Sequence, residues 1–233
     1  MKLTVPHYYD FGEDRPLVGD DLLNPDAWDN LRTESNTIFV FHPDREEWDR
    51  EIAGNAYQER RARQLIEWVE PGGVTRIASY GVGPAPVERW VHNLKPNWQL
   101  QLTDYGPRTV ERLKTHFPEA ETRRHNFVLD LPLKAELHLF CCVDTELTDE
   151  EWKLVLRNFS ACRMLIYPCA TFGLLTIVGE LRQRGPGKKP TRCGFWRTKS
   201  RFDELISATH DLRRLESRRA GTAWLCEPKE PAR

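Results

Sequence analysis

The chain has 233 residues, 39% of them hydrophobic and 10% aromatic, which is enough apolar material for a core that needs no metal or disulfide staple. A formal net charge of −1 removes any whole-protein argument for a polyanionic partner. The longest nearly uncharged apolar stretch, Cys169 to Gly179, falls far short of the roughly 20 residues a membrane span needs, and Met1 to His7 hold no apolar run that could act as a signal peptide. A cytoplasmic protein without a membrane partner is expected.

Residues 1–55 are rich in Asp, Pro, Asn and Trp and show no sustained period, so they read as short helices and loops laid on a core. Asn24-Pro25-Asp26 is a turn or helix start, and Ile38 to Phe41 is a short apolar run stopped by His42-Pro43. A helix starts at Asn55, with Ala56, Ala62, Leu65, Ile66 and Val69 on its apolar face and Arg60, Arg61, Arg63 and Glu67 on the other, and Pro71-Gly72-Gly73 ends it.

The chain then alternates. Val74 to Ser79 reads as a strand, Val87 to Leu94 as a helix, Trp98 to Thr103 as a strand and Arg108 to His116 as a helix. A strand near Thr122 to Phe127 comes next, then a buried strand from Leu137 to Val143. Thr148 with Glu151 forms a capping box before a helix to Phe159, and Met164 to Tyr167 is again a strand. Phe202 to Ala208 is helical, and Leu212 to Leu215 and Thr222 to Cys226 form an antiparallel pair about Ala220-Gly221 at the sheet edge. Glu227 onward reads as a frayed tail. Such alternation implies an α/β fold with a mainly parallel sheet covered by helices on both faces.

None of the six cysteines is spaced C-x-x-C, so free buried thiols and no metal site are expected. Adjacent Cys141 and Cys142 would point to opposite faces of a strand. Charge is uneven: residues 1–60 carry 14 acidic and 6 basic residues, and residues 181–219 carry 12 basic and 4 acidic. Mutual neutralisation of the two ends across the folded surface would account for this as well as a charged partner would.

The chemistry concentrates after the first strand of the alternating region. Gly81 and Gly83 let the backbone approach a ligand, and the turn leads into a helix N-terminus. Asp104 ends the next strand, where a carboxylate can accept both ribose hydroxyls, and Tyr105 offers a face to a purine. This order of parts points to an adenosine-type ligand.

From about Ala56 to Pro228 the sequence resembles the class I S-adenosylmethionine-dependent methyltransferases. The motifs are Thr75 to Val87, Leu102 to Pro107, Asn126 to Pro132 and Phe140 to Asp144 with the Leu147 to Trp152 segment after it. The resemblance implies a Rossmann-like seven-stranded sheet with an antiparallel C-terminal strand pair and S-adenosylmethionine as cofactor. It also implies cofactor contacts from Ser79, Tyr80, Gly81, Gly83, Asp104, Tyr105, Asn126, Phe127, Cys142 and Val143. The family usually has an acid where this chain has Ser79, a third glycine where it has Ala85, and often an Asp where it has Asn126. Residues 1–55 resemble the family's substrate lid, residues 56–228 its catalytic domain with a basic insertion at 181–201, and residues 229–233 a tail.

Methyl transfer needs chiefly alignment and exclusion of water, with a base only for a hydroxyl or protonated amine. His42 and Asp144 are the candidate bases. His138 reads as a core residue, and His92 and His116 as solvated. The segment 181–201 holds eight basic residues and no acid, and so suggests an anionic small-molecule acceptor. Nucleic acid is not favoured, because Phe195 and Trp196 are the only interleaved aromatics and no Asn/Asp-Pro-Pro-Tyr signature is present. An inactive methyltransferase-like binding protein, an RNA- or protein-directed methyltransferase and a nucleotide-binding oxidoreductase are the rival readings. The sequence leaves the oligomeric state open.

Overall fold

Along the central strands, side chains alternate between two cores. Ile77, Leu137, Leu139 and Leu165 enter one, while Ala78, Phe140, Met164 and Ile166 enter the other. This is the period of strands buried on both faces, as parallel sheets require. The computed structural model describes residues 1–9, 28–30, 40–183, 185–187 and 191–230. The calls on Asn24-Pro25-Asp26, Ile38-Phe39, Lys188, Lys189 and residues 231–233 fall outside them.

In chain order the elements are β1 (Thr4–Tyr9), α1 (Arg45–Gly54), α2 (Ala56–Val69), β2 (Arg76–Tyr80), α3 (Pro86–Leu94), β3 (Gln99–Asp104), α4 (Pro107–His116), β4 (Glu121–Arg124) and β5 (Leu137–Cys141). They continue with α5 (Asp149–Asn158), β6 (Met164–Tyr167), α6 (Leu174–Gln183), β7 (Thr191–Arg197), α7 (Lys199–Ile206), β8 (His210–Ser217) and β9 (Gly221–Pro228). Seven strands form one sheet in the order β4-β3-β2-β5-β6-β9-β8. The pairings from β4 to β6 are parallel, and β9 runs antiparallel to both β6 and β8. The expected fold class is therefore observed. Strand order reverses between β2 and β5, and their carboxyl ends form the switch point where such sheets bind ligands.

Helices α1 to α4 cover one face and α5 and α7 the other. Local signals set their starts. Asp44 and Asn55 cap α1 and α2, prolines open α3 and α4, and Thr148 and Glu151 form the expected capping box of α5.

Several expectations need correction. The N-terminal segment starts with a strand, β1, which pairs antiparallel with β7, so the first residues and the basic insertion form one small sheet. Arg61 is buried on the core side of α2, not on its polar face. The strand near 122–127 ends at Arg124. Glu227 and Pro228 are no tail: they pair with Asp211 and His210 in the last ladder. His116 is fully buried against Phe41 and Trp48 instead of solvated.

The small sheet is fastened over the segment after β5. Phe195 N donates to Thr145 O at 2.7 Å, and Gly194 lies so close that a Cβ there would sit 1.7 Å from the same carbonyl. Arg197, buried in β7, donates to Asp149 Oδ1 at 2.7 Å, to Asp144 O at 2.6 Å and to Leu147 O. The Thr4 hydroxyl donates to the same Asp149 carboxylate at 2.9 Å. Replacing Arg197 by Ala leaves the Asp144 and Leu147 carbonyls without this donor and takes one of the two arginines from Asp149, which keeps Arg201. Urea denaturation of Arg197→Ala should show a loss of about 3–5 kcal/mol.

Candidate functional site

At the carboxyl ends of β2 and β5 the backbone turns left-handed four times, at Gly81 (φ 63°), Gly83 (φ 56°), Ala85 (φ 52°) and Cys142 (φ 62°). A Cβ on Gly81 would lie 2.6 Å from a Val143 methyl and 3.5 Å from the Phe127 ring. The glycine therefore lets two turns from different strands touch. Ala85 holds a left-handed backbone, the conformation that glycine adopts most freely, so the turn keeps this path with a methyl group present.

Asp104 is buried at the end of β3 between the two glycine turns. Its Oδ2 accepts from Gly83 N and its Oδ1 from Gly106 N, both at 2.9 Å. Asp29 caps the helix that follows, accepting from Arg108 N at 2.9 Å, Thr109 N at 3.1 Å and the Thr109 hydroxyl at 2.7 Å. Gly106 permits this approach, since a Cβ there would lie 2.3 Å from Asp29 Oδ1. The partially exposed Tyr105 ring has the Arg124 guanidinium at 5.6 Å from its centroid.

Ser79 is buried and donates to Glu88 Oε1 at 2.6 Å, and burial raises the Glu88 carboxyl above its ordinary range. A carboxyl group is thus delivered to the end of β2 from the first turn of α3 instead of from the strand. Glu88 precedes buried Val91 by one helical turn, and that position was the signal available in the sequence. Arg61 lies on the same side, buried, with Nη2 donating to the carbonyls of Tyr167 at 3.1 Å and Pro168 at 3.0 Å. Its Nη1 donates to the Tyr57 hydroxyl at 3.0 Å, and its guanidinium stands 3.8 Å from the centre of the Tyr167 ring.

The structure thus brings Gly81, Gly83, Asp104, Phe127, Cys142 and Val143 to one edge. Tyr80 leaves it: its ring is buried between Phe140 and His138 on the opposite face, with its hydroxyl 2.9 Å from His138 Nδ1. This confirms His138 as a core histidine, and burial pushes its pKa down to about 4. Asn126 Oδ1 accepts from Val128 N at 3.1 Å and serves the local turn. The adjacent thiols of Cys141 and Cys142 do not part to opposite faces, because the left-handed turn at Cys142 brings the sulfurs to 3.9 Å. Cys169 is exposed rather than buried.

The two candidate bases separate. His42 is held at the last turn of α4, where His42 O pairs with His116 Nε2 at 2.9 Å, and its ring pairs with Glu51 at 2.9 Å. That turn lies a helix length from the carboxyl edge. Asp144 follows β5 directly and is buried. Its Oδ1 accepts from Cys169 N at 3.1 Å, and its Oδ2 has no partner. Burial pushes this carboxyl up to about 6.

Because an ordinary Asp titrates near 3.8 and this one near 6, the folded protein binds the extra proton between these values. The stabilisation is complete below about pH 4 and is lost as pH rises through about 6. Asp144→Asn should remove this loss, so the stability difference between wild type and variant should shift by about 2–3 kcal/mol across that window. Urea titrations of both proteins at pH 4 and pH 7 measure it.

No family model and no curated protein matches the chain. Solved structures do. The structure of PigF with SAH superposes with a TM-score of 0.63 at 14% identity, covering 93% of this chain and 63% of that one. The apo structure of the S-adenosylmethionine-dependent methyltransferase SibL gives 0.61 at 17% identity, covering 75% and 56%. Human N-acetylserotonin methyltransferase in complex with SAM gives 0.59 at 16% identity, covering 84% and 60%. The chain spans between half and two thirds of the length of these three proteins. Together with the strand order and the antiparallel final pair, these matches show that the chain has the class I methyltransferase fold.

Proposed function

We propose that the protein is an S-adenosylmethionine-dependent methyltransferase acting on a small-molecule acceptor. The observation that carries this reading is the Asp104 carboxylate, fixed at the switch point by one backbone N–H on each oxygen beside a left-handed glycine turn. A carboxylate at the end of the second strand of such a sheet is the group type that accepts ribose hydroxyls. The apolar wall of Phe127 and Val143 suits an adenine, and the Ser79–Glu88 pair supplies a polar end. The residues present fit the cofactor.

When bound, S-adenosylmethionine supplies a methyl group already activated on a sulfonium sulfur. The protein's part is then to orient the acceptor and keep water out. The β1–β7 sheet is bonded to the residues after β5, and a cover beside the carboxyl edge supports the reading of a small acceptor. Asp144 is the group positioned there to take a proton from a hydroxyl or ammonium acceptor, and a carboxyl with a pKa of about 6 is ionised at neutral pH. The known small-molecule methyltransferases among the structural neighbours support the same substrate class, including the Mitomycin 7-O-methyltransferase MmcR. Of the basic residues read as an anion-recruiting insertion, Arg197, Lys199 and Arg201 are engaged by Asp149, Glu216 and Glu204, which weakens the case for an anionic acceptor.

Calorimetric titration with S-adenosylhomocysteine tests the reading. Wild type should bind, and Asp104→Ala, verified as folded, should lose on the order of 2–3 kcal/mol, the range for hydrogen bonds to a charged group. Absence of binding by wild type would refute it. Binding without methyl transfer to any small molecule of a cell extract would favour the inactive binding protein.

A further inference from the structure

We propose that Cys169 is a modification site that takes up a low-molecular-weight disulfide and then closes onto Cys142, in a protein disulfide that locks the carboxyl ends of β5 and β6 together. Three of the five free cysteines among the described residues, Cys141, Cys142 and Cys169, meet at these two strand ends. Cys169 is exposed, and its thiol donates to Cys142 O at 3.7 Å. It also shares a side-chain hydrogen bond with the Cys142 thiol. Cys141 is engaged otherwise, since its Sγ accepts from Arg61 Nη2 at 3.7 Å. Nor does it suit Cys142 as a covalent partner. Adjacent Cα atoms stand about 3.8 Å apart, short of the roughly 4.4–6.8 Å that an unstrained disulfide spans. Cys142 and Cys169 instead continue two neighbouring parallel strands, and a strand spacing of about 4.8 Å falls within that span.

Access decides which thiol acts first. Cys169 lines an open groove of about 400 Å³ with Pro168, Ala170, Leu174 and Thr222, so a small disulfide reaches its sulfur from solvent. Cys142 is half-buried, and its thiol is raised well above the ordinary range: the hydrogen bond with Cys141 lowers it, and the one with Cys169 together with burial outweighs that. It is a poor first nucleophile, suited to attack a sulfur already held beside it. In the first step the Cys169 thiolate attacks one sulfur of the small disulfide RSSR. A mixed disulfide forms on Cys169, and one RSH leaves with the proton that Cys169 gave up. In the second step the Cys142 sulfur attacks the Cys169 sulfur, the mixed disulfide breaks, and a second RSH leaves with the Cys142 proton. Two electrons pass from the protein thiols to the small disulfide, which is the oxidant. The new bond would tie the residue before Val143, which touches Gly81, to the residue whose N–H holds Asp144. An accessible pair of this kind suits redox sensing more than structural stapling. The proposal does not depend on the methyl-transfer reading, and no readout below uses the cofactor.

Incubation of the reduced full chain with oxidised glutathione, followed by alkylation, digestion and mass spectrometry, tests it. Wild type should yield two peptides joined through Cys142 and Cys169, lighter by two hydrogens and released by dithiothreitol. Cys142→Ser should stop at one glutathione on Cys169, and Cys169→Ser should form neither that adduct nor the cross-link. Cys141→Ser should still cross-link, which assigns the bond to Cys142 where the two adjacent cysteines share a peptide. Backbone amides at 142–146 and 168–170 should exchange hydrogen several-fold more slowly in oxidised than in reduced wild type, because local opening must now move both strand ends together. The proposal fails if wild type stays reduced, keeps glutathione on Cys169 without cross-linking, or joins Cys142 to Cys141. It fails equally if Cys142→Ser leaves Cys169 unmodified, or if the two segments exchange at the same rate in both states.

Discussion

The contact between Gly81 and Val143 is the constraint around which the carboxyl edge is organised. It joins the ends of β2 and β5, the two strands at which the sheet changes direction. For the turns to meet, the chain adopts left-handed backbone at Gly81 and Gly83 on one strand end and at Cys142 on the other. Glycine accepts this freely, while Cys142 and Ala85 carry a penalty of about 1 kcal/mol or more each. Such strain persists only where the surroundings enforce it. Here the enforcing bonds are Cys142 N to Tyr167 O, Val82 N to Thr103 O and the Asp104 bridge between two turns.

Buried charge sits next to this edge. Among the described residues Arg61 makes no salt bridge, and it holds two carbonyls at the end of β6 and lies against the Tyr167 ring. A guanidinium can remain charged in such surroundings because its donors are spread over several acceptors. The nearby acids behave differently. Glu88 and Asp144 are both raised by burial, so they can exist as neutral hydrogen-bonding groups where Arg61 cannot. The result is one fixed cation beside acids whose neutral form burial favours.

What could be read in advance followed the physics of local pattern. The strand Met164–Tyr167 and the Thr148–Glu151 capping box appear in the structure as the residues predicted, because a buried apolar run and a cap are encoded within a few positions. The placement of Gly81, Gly83 and Asp104 at turns and strand ends was equally legible, since turn preference depends on residue type. The β1–β7 sheet was not. Thr4 to Tyr9 includes a proline and Thr191 to Arg197 two arginines, and their pairing depends on each other and on the Asp149 contacts of Thr4 and Arg197. Arg61 failed for a related reason: its charge suggested solvent, and its acceptors belong to a strand about 100 residues later. Tyr80 was assigned to the ligand by motif, whereas strand alternation sends its ring to the far core.

The pairing of β1 with β7 also has a consequence for the order of events during synthesis. Leu3 N bonds the Thr198 hydroxyl across 195 residues, so the first strand leaves the ribosome long before its partner exists. At typical elongation rates of about 5–20 residues per second the interval is on the order of tens of seconds. Meanwhile β2 to β6 and their helices can assemble from nearest neighbours, each next to a strand already made. The small sheet can form only once β7 has emerged, with α7, β8 and β9 still to be added to the main sheet and its core. A nascent protein halted before residue 191 would hold the five parallel strands with β1 still unpaired and the edge of β6 still waiting for β9.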